Sequence, residues 1–294
     1  MQTKPFPIPV IAAVVGPGSQ AEDDTLDYLT MPQGMATYRP PVLPEPEALA
    51  GAPAAVTVLQ AALDALIRAA RGEPAAPIAL TGLDATALAL VNQVLGEGEV
   101  SAQVVAEGSA PGAARVRVQE SVFAGVWRVL QVLDDGRVLD AIEVGAVPAV
   151  LLEAAHDDGQ GERPGPQTAP DGVFNAQPVL VELADQRQQW QPGRPAHVVN
   201  LSLLPMTPLD IGFLDHVLGT GRVLVLSRGY GNCRITNTRV PNTWRIVYYN
   251  SQDQVILNTV EVCRVPEVAC AAPEDLADSA ERLTEVLAWV RQDA

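Results

Sequence analysis

The stretch VPNTWRIVYYNSQDQVILNTVEVCRVPEVACA, Val240–Ala271, decides the fold because it occurs twice. The earlier copy is FAGVWRVLQVLDDGRVLDAIEVGAVPAVL, Phe123–Leu151. Trp127-Arg128-Val129 answers Trp244-Arg245-Ile246, and Ile142-Glu143-Val144 answers Val260-Glu261-Val262 after one extra turn residue in the later copy. Val147-Pro148 then answers Val265-Pro266. Self-similarity at a fixed offset marks a duplicated folding unit whose copies have drifted apart.

Each copy reads as a β-hairpin followed by a helix start. Trp244, Ile246 and Tyr248 alternate with Arg245, Val247 and Tyr249, so they occupy opposite faces of one strand. Asn250-Ser251-Gln252-Asp253 turns the chain back; the earlier copy turns more tightly at Asp134-Asp135-Gly136, where glycine accepts a positive φ. Pro148 and Pro266 suit the first turn of a following helix, where a missing N–H is harmless.

Outward from the hairpins the same order repeats. Pro53 opens a helix carrying Val56, Leu59, Leu63, Leu66 and Ile67 at helical spacing, and Ile78–Thr81 reads as a short strand. Asp84 caps a helix over Ala85–Leu95, and strands follow at Glu99–Ala106 and Ala114–Glu120. Later, Val198–Leu201 echoes the short strand, Thr207 stands where Asp84 stood, and Val217–Gly221 matches Val94–Gly98. Arg222–Arg228 and Asn232–Thr238 are the next strands, Gln177–Trp190 is a helix, and Pro273–Gln292 is an amphipathic one. The expected fold is α+β, two tandem copies of an antiparallel-sheet-plus-helices unit, with helices on one face of each sheet. The expected division is a Pro/Gly-rich arm at 1–52, a first repeat at 53–155, a linker at 156–176 and a second repeat at 177–294.

Composition narrows the function classes. A net charge of −16 with Lys4 as the only lysine repels nucleic acid and anionic membranes, because favourable counterion release needs clustered basic residues. The acidity serves solubility or a basic partner. No stretch approaches the roughly 20 apolar residues that span a bilayer, so no membrane insertion is expected. Cys233, Cys263 and Cys270, an odd and unpaired set, point to a reducing cytoplasm.

Chemistry is sparse. His156, His197 and His216 are scattered, and no CxxC or HxxxH spacing, P-loop or G-x-S-x-G occurs. No catalytic residue and no cofactor is assigned. Cys233, Cys263 and Cys270 are either small buried hydrophobes or, as the alternative, a metal- or cluster-handling set. The later copy alone carries Arg228-Gly229-Tyr230-Gly231-Asn232-Cys233-Arg234, where the earlier has Glu107-Gly108-Ser109-Ala110-Pro111-Gly112. Tyrosine and arginine commonly anchor interfaces, so Arg228, Tyr230, Asn232 and Arg234 are candidate partner contacts. Met31–Glu47, with five prolines, is an extended arm that either packs on the domain or presents Tyr38 and Arg39 for recognition.

MPQGMATYRPPVLPEPE at 31–47, SRGYGNCRI at 227–235 and TWRIVYYNSQDQVILNTVEVCRVPEVACAAPEDLADSAERL at 243–283 resemble the HupH/HyaF/HoxQ family. These expression and formation proteins accompany membrane-bound uptake [NiFe] hydrogenases. The resemblance covers nearly the whole chain, in the family's order, including its doubled C-terminal region. It implies a chaperone or assembly factor, not an enzyme, with two partners. One is the precursor of the hydrogenase small subunit, which carries iron–sulfur clusters and an export signal; the other is a thioredoxin-like hydrogenase accessory protein. The family supplies no established catalytic residues to carry over.

Overall fold

A computed structural model describes residues 44–45, 48–49, 51–106, 114–161, 168–229 and 231–292. The first copy contains helix α1 (Pro53–Ala69), strand β1 (Ile78–Ala79) and helix α2 (Ala85–Leu95). Strands β2 (Val100–Val105), β3 (Ala114–Glu120), β4 (Val126–Val132) and β5 (Val138–Val144) follow, then α3 (Ala149–Gln160). The second repeats the order with α4 (Ala176–Gln188), β6 (His197–Asn200), α5 (Pro208–Leu218), β7 (Thr220–Ser227), β8 (Asn232–Thr238), β9 (Thr243–Tyr249), β10 (Val255–Val262) and α6 (Pro273–Gln292).

The local signals act as their chemistry dictates. Asp84 accepts the backbone N–H of Ala87 at 2.8 Å and so caps α2. Thr207 and Asp210 form a reciprocal capping box that starts α5. The alternation of β3 buries Val116, Val118 and Glu120, and that of β9 buries Trp244 and Ile246.

The two copies do not make separate sheets. They join into one antiparallel ten-stranded sheet, ordered β1-β5-β4-β3-β2-β7-β8-β9-β10-β6. The seam pairs β2 with β7, setting Ser101 opposite Leu226 and Gln103 opposite Leu224. Each copy alone would leave that strand as an unpaired edge, so joining them satisfies two rows of backbone groups at once.

Helices lie on both faces, which corrects the one-faced expectation. On one face, Trp127, Val129, Ile235, Trp244 and Ile246 form a core closed by Leu151 and Ala154 of α3. On the other, α1 covers β1 and β5, and α4 covers β6 and β10. The terminal helices also change places. Helix α3, from the first copy, packs on β7 and β8, while α6, from the second, packs on α1. Two close approaches lock the exchange. A Cβ on Gly159 would lie 2.9 Å from Pro241 Cα, and one on Gly125 would lie 2.0 Å from Leu276 Cδ2.

Two further expectations shift. Helix α3 runs to Gln160, so the first residues of the expected 156–176 linker are helical and sit on the second copy's strands. Pro148 is the residue before α3, not its first turn, and Pro266 precedes only a 3₁₀ turn over Glu267–Ala269. The long helix waits until Pro273.

Candidate interaction face

Side chains of directly paired residues share a face of the sheet. One row therefore runs Ile142, Arg128, Gln119, Ser101, Leu226, Arg234, Val247 across β5, β4, β3, β2, β7, β8 and β9. The next runs Asp140, Leu130, Arg117, Gln103, Leu224, Thr236, Arg245. The rows exchange under the duplication: Arg117 answers Arg234 and Arg128 answers Arg245, at the offset that relates Trp127 to Trp244. The tryptophans point to the closed core and the arginines to the opposite face.

That opposite face stays open in its middle, between α2 and α5. Arg117 is exposed, while Ser101, Gln103, Leu130, Leu224, Arg234 and Val247 are half-buried. On the first copy's side a cavity of about 560 Å³ is lined by Asn92, Glu97, Gln103, Arg117, Gln119, Arg128 and Leu130, among others. Arg128 is held there by a forked pair of bonds to Asp140, at 3.0 and 2.7 Å, and by the side-chain oxygen of Asn92. In the second copy Arg245 lies 3.2 Å from Asp215 of α5. Burial pushes the Asp215 carboxyl up against the pull of Arg245; burial likewise pulls Arg245 down against Asp215. A guanidinium keeps its proton in such a setting, so the two form an ion pair at neutral pH. Arg117 and Arg234 make no side-chain hydrogen bond or ion pair among the described residues.

Three residues of the expected partner set gather at the β7–β8 end of this face. Arg228 is exposed, its backbone N–H donating to Glu99 O at 3.1 Å. Asn232 opens β8 opposite Tyr249, and Arg234 follows within the trough. Gly229 passes close to Glu99, the residue before β2: a Cβ there would lie 2.2 Å from the Glu99 Oε2. Tyr230, Tyr38 and Arg39 lie outside the described residues. Sequence reading missed Arg117, Arg128 and the cavity between them. Their signal was present in the alternation of ARVRVQE and in the arginine after each repeated tryptophan, but naming the open face requires knowing which helices cover which strands.

The cysteines sit elsewhere. Cys233 and Cys263 are buried in the tryptophan core, and Cys270 is half-buried with its Sγ 3.5 Å from Pro266 O. Burial pushes the Cys233 thiol up to about 12 and that of Cys270 up to about 11, and it raises Cys263 as well. All three are therefore neutral thiols at physiological pH. Among the described residues no three His, Cys, Asp or Glu side chains form a group able to hold a metal ion. No described helix is long and apolar enough to cross a membrane.

Known proteins match this sequence along its length. The family model of the HupH hydrogenase expression protein, C-terminal conserved region, matches twice, at residues 49–163 and 173–290, one match per copy. Hydrogenase expression/formation protein HoxQ of Cupriavidus necator is 57% identical over 285 residues, covering 97% of this chain and 98% of that protein. Hydrogenase expression/formation protein HupH of Rhodobacter capsulatus is 45% identical, covering 94% of this chain and 96% of its own. Hydrogenase-1 operon protein HyaF of Escherichia coli is 31% identical, covering 96% and 97%.

Proposed function

The chain belongs to the HupH family of hydrogenase expression proteins, and from that premise we propose that it is a non-catalytic assembly factor for the small, iron–sulfur subunit of an uptake [NiFe] hydrogenase. It works in the cytoplasm, on the subunit's precursor, alongside a thioredoxin-like accessory protein. A role in hydrogenase maturation follows from the relatives' names. The finer reading is supported by one observation: the middle of the ten-stranded sheet is left open on the arginine face, where Arg117 is exposed and Gln103, Leu224 and Arg234 are half-buried. Arg228, Asn232 and Arg234 lie at the end of that face, and Tyr230, between them in sequence, with Tyr38 and Arg39 completes the proposed contacts. Cluster handling by Cys233, Cys263 and Cys270 draws no support from thiols that burial keeps protonated.

The test is affinity capture of the tagged, full-length protein from cells expressing the hydrogenase operon. The expected result is co-purification of the small-subunit precursor, reduced severalfold by Tyr230→Ala or by deleting residues 31–47. Recovery of the large subunit alone, or of no hydrogenase polypeptide, would overturn the proposal.

A further inference from the structure

Arg117 and Arg234 are the feature of the open face that its packing does not explain. Although the chain carries 35 Asp and Glu against 19 Lys and Arg, each copy sets one arginine in this face without a carboxylate partner among the described residues. The two stand at equivalent positions on β3 and β8, while their neighbours Arg128 and Arg245 are neutralised by Asp140 and Asp215. The two free guanidinium groups stand on either side of the β2–β7 seam. Three strand spacings and a two-residue offset put their strand positions roughly 16 Å apart. Between them lie Leu224 and Leu226, with Leu130 and Val247 beyond, all half-buried or buried within the rows.

We propose that this trough binds an acidic segment of an extended polypeptide, with a carboxylate on each of Arg117 and Arg234 and an apolar side chain over the leucines between them. An extended chain rises about 3.3 Å per residue, so carboxylates four residues apart span about 13 Å, which the flexible arginine side chains bridge. The ligand is thus of the form acid–x–apolar–x–acid. A polypeptide is favoured over nucleic acid because a phosphate backbone, charged at every residue, meets more of the field of a chain at −16 than a segment with two carboxylates does. The inference rests on the reading of the protein as a polypeptide-binding factor, and names what it recognises.

Full-length protein is titrated into fluorescein-labelled Gly-Ser-Asp-Thr-Leu-Thr-Asp-Ser-Gly by fluorescence anisotropy, against versions with both Asp replaced by Asn or by Lys, and against a single-stranded oligonucleotide. The acidic peptide is expected to bind at least about tenfold more tightly than the Asn version, less tightly as salt rises. Arg117→Gln and Arg234→Gln are each expected to lose about tenfold. The doubly reversed Arg117→Glu/Arg234→Glu protein, checked for an unchanged melting profile, is expected to prefer the Lys peptide. Equal binding of the acidic and Asn peptides overturns the inference, as does unchanged preference in the reversed protein, or tighter binding of the oligonucleotide. Any of these alongside successful capture of the small-subunit precursor leaves the assembly role standing. A bound acidic peptide without capture of any hydrogenase polypeptide does the converse.

Discussion

Arg128 and Arg245 follow the repeated tryptophans at the same place, yet each copy neutralises its arginine differently. In the first copy the acid is on the neighbouring strand: Asp140 grips Arg128 with two bonds, and the helix supplies only the neutral Asn92. In the second the acid is on the helix: Asp215 stands where Asn92 stood, and the strand position of Asp140 holds Asn258. That relocation has structural consequences. The first pair is planar, forked and partly open to water, its side chains 28% and 19% exposed. In the second the arginine is the more enclosed partner, with Arg245 12% and Asp215 25% exposed, and the 3.2 Å contact is not aligned as a hydrogen bond. Arg245 Nη1 and Asn258 Oδ1 are both left buried without a hydrogen-bond partner. The arginine is what both halves retain, and the carboxylate is free to move as long as one remains within reach.

The largest test asks whether the halves are separate at all. Trp127 and Trp244 lie in one core, and their indole N–H groups donate to Gly145 O and Arg264 O at 2.8 and 3.2 Å. Trp127→Ala and Trp244→Ala are each expected to lower stability by about 3–5 kcal/mol. Because the sheet is continuous and α3 and α6 cross over, either substitution should shift a single urea transition followed by tryptophan fluorescence and circular dichroism. Two transitions, with each variant moving only one of them, would show that the copies fold as independent units.

What the sequence made legible was local. The caps at Asp84 and Thr207, helix Ala85–Leu95 and strand Asn232–Thr238 rest on hydrogen bonds and periodicities that span a few residues. The joining of β2 to β7 and the exchange of α3 and α6 depend on contacts across the whole chain, such as Asp158 with Arg222, at 2.6 Å. No pattern within a strand announces which edge it will meet. For the same reason Arg234 was found as a loop neighbour, but its counterpart Arg117 was not. Asp210 was hidden too: it accepts from Phe174, Asn175 and Ala176 backbone N–H groups as well as from Thr207, tying the entry of α4 to α5.

The relocated carboxylate predicts a difference between the two copies. Arg245→Met strands Asp215 in an enclosed site, where losing one partner of a buried pair costs about 3 kcal/mol. Arg128→Met removes the more exposed of the two arginines, and the expected loss is about 1 kcal/mol. Urea midpoints of the two variants decide between this ordering and its reverse. The double variant Arg245→Met/Asp215→Leu should regain most of the loss, because the uncompensated charge is gone. A double variant no more stable than Arg245→Met would mean that packing around the arginine stem, not the stranded carboxylate, carries the effect.

The effect confined to one pH window concerns Glu120 and Asn237, which are equivalent, buried, and differ in the ability to ionise. Asn237 accepts from Val223 N–H and donates to Asp158, so a neutral amide satisfies that position. Glu120 accepts from Gly125 N–H, but burial, abetted by the charge of Glu99, pushes its carboxyl up to about 7. A carboxyl raised in the folded state binds its proton more tightly there than in the unfolded chain. Between its ordinary value near 4.5 and about 7 the native state therefore holds more protons, and stability falls as pH rises through that window. This is the reverse of a salt-bridged carboxylate, and it removes about 2 kcal/mol between pH 5 and pH 7. Glu120→Gln, which imitates the second copy's amide, should be the more stable protein at pH 7 and should lose that part of the slope. Urea unfolding of both proteins at several pH values across this range measures it. Parallel curves would mean that the first copy already solvates its acid as well as the second satisfies its amide.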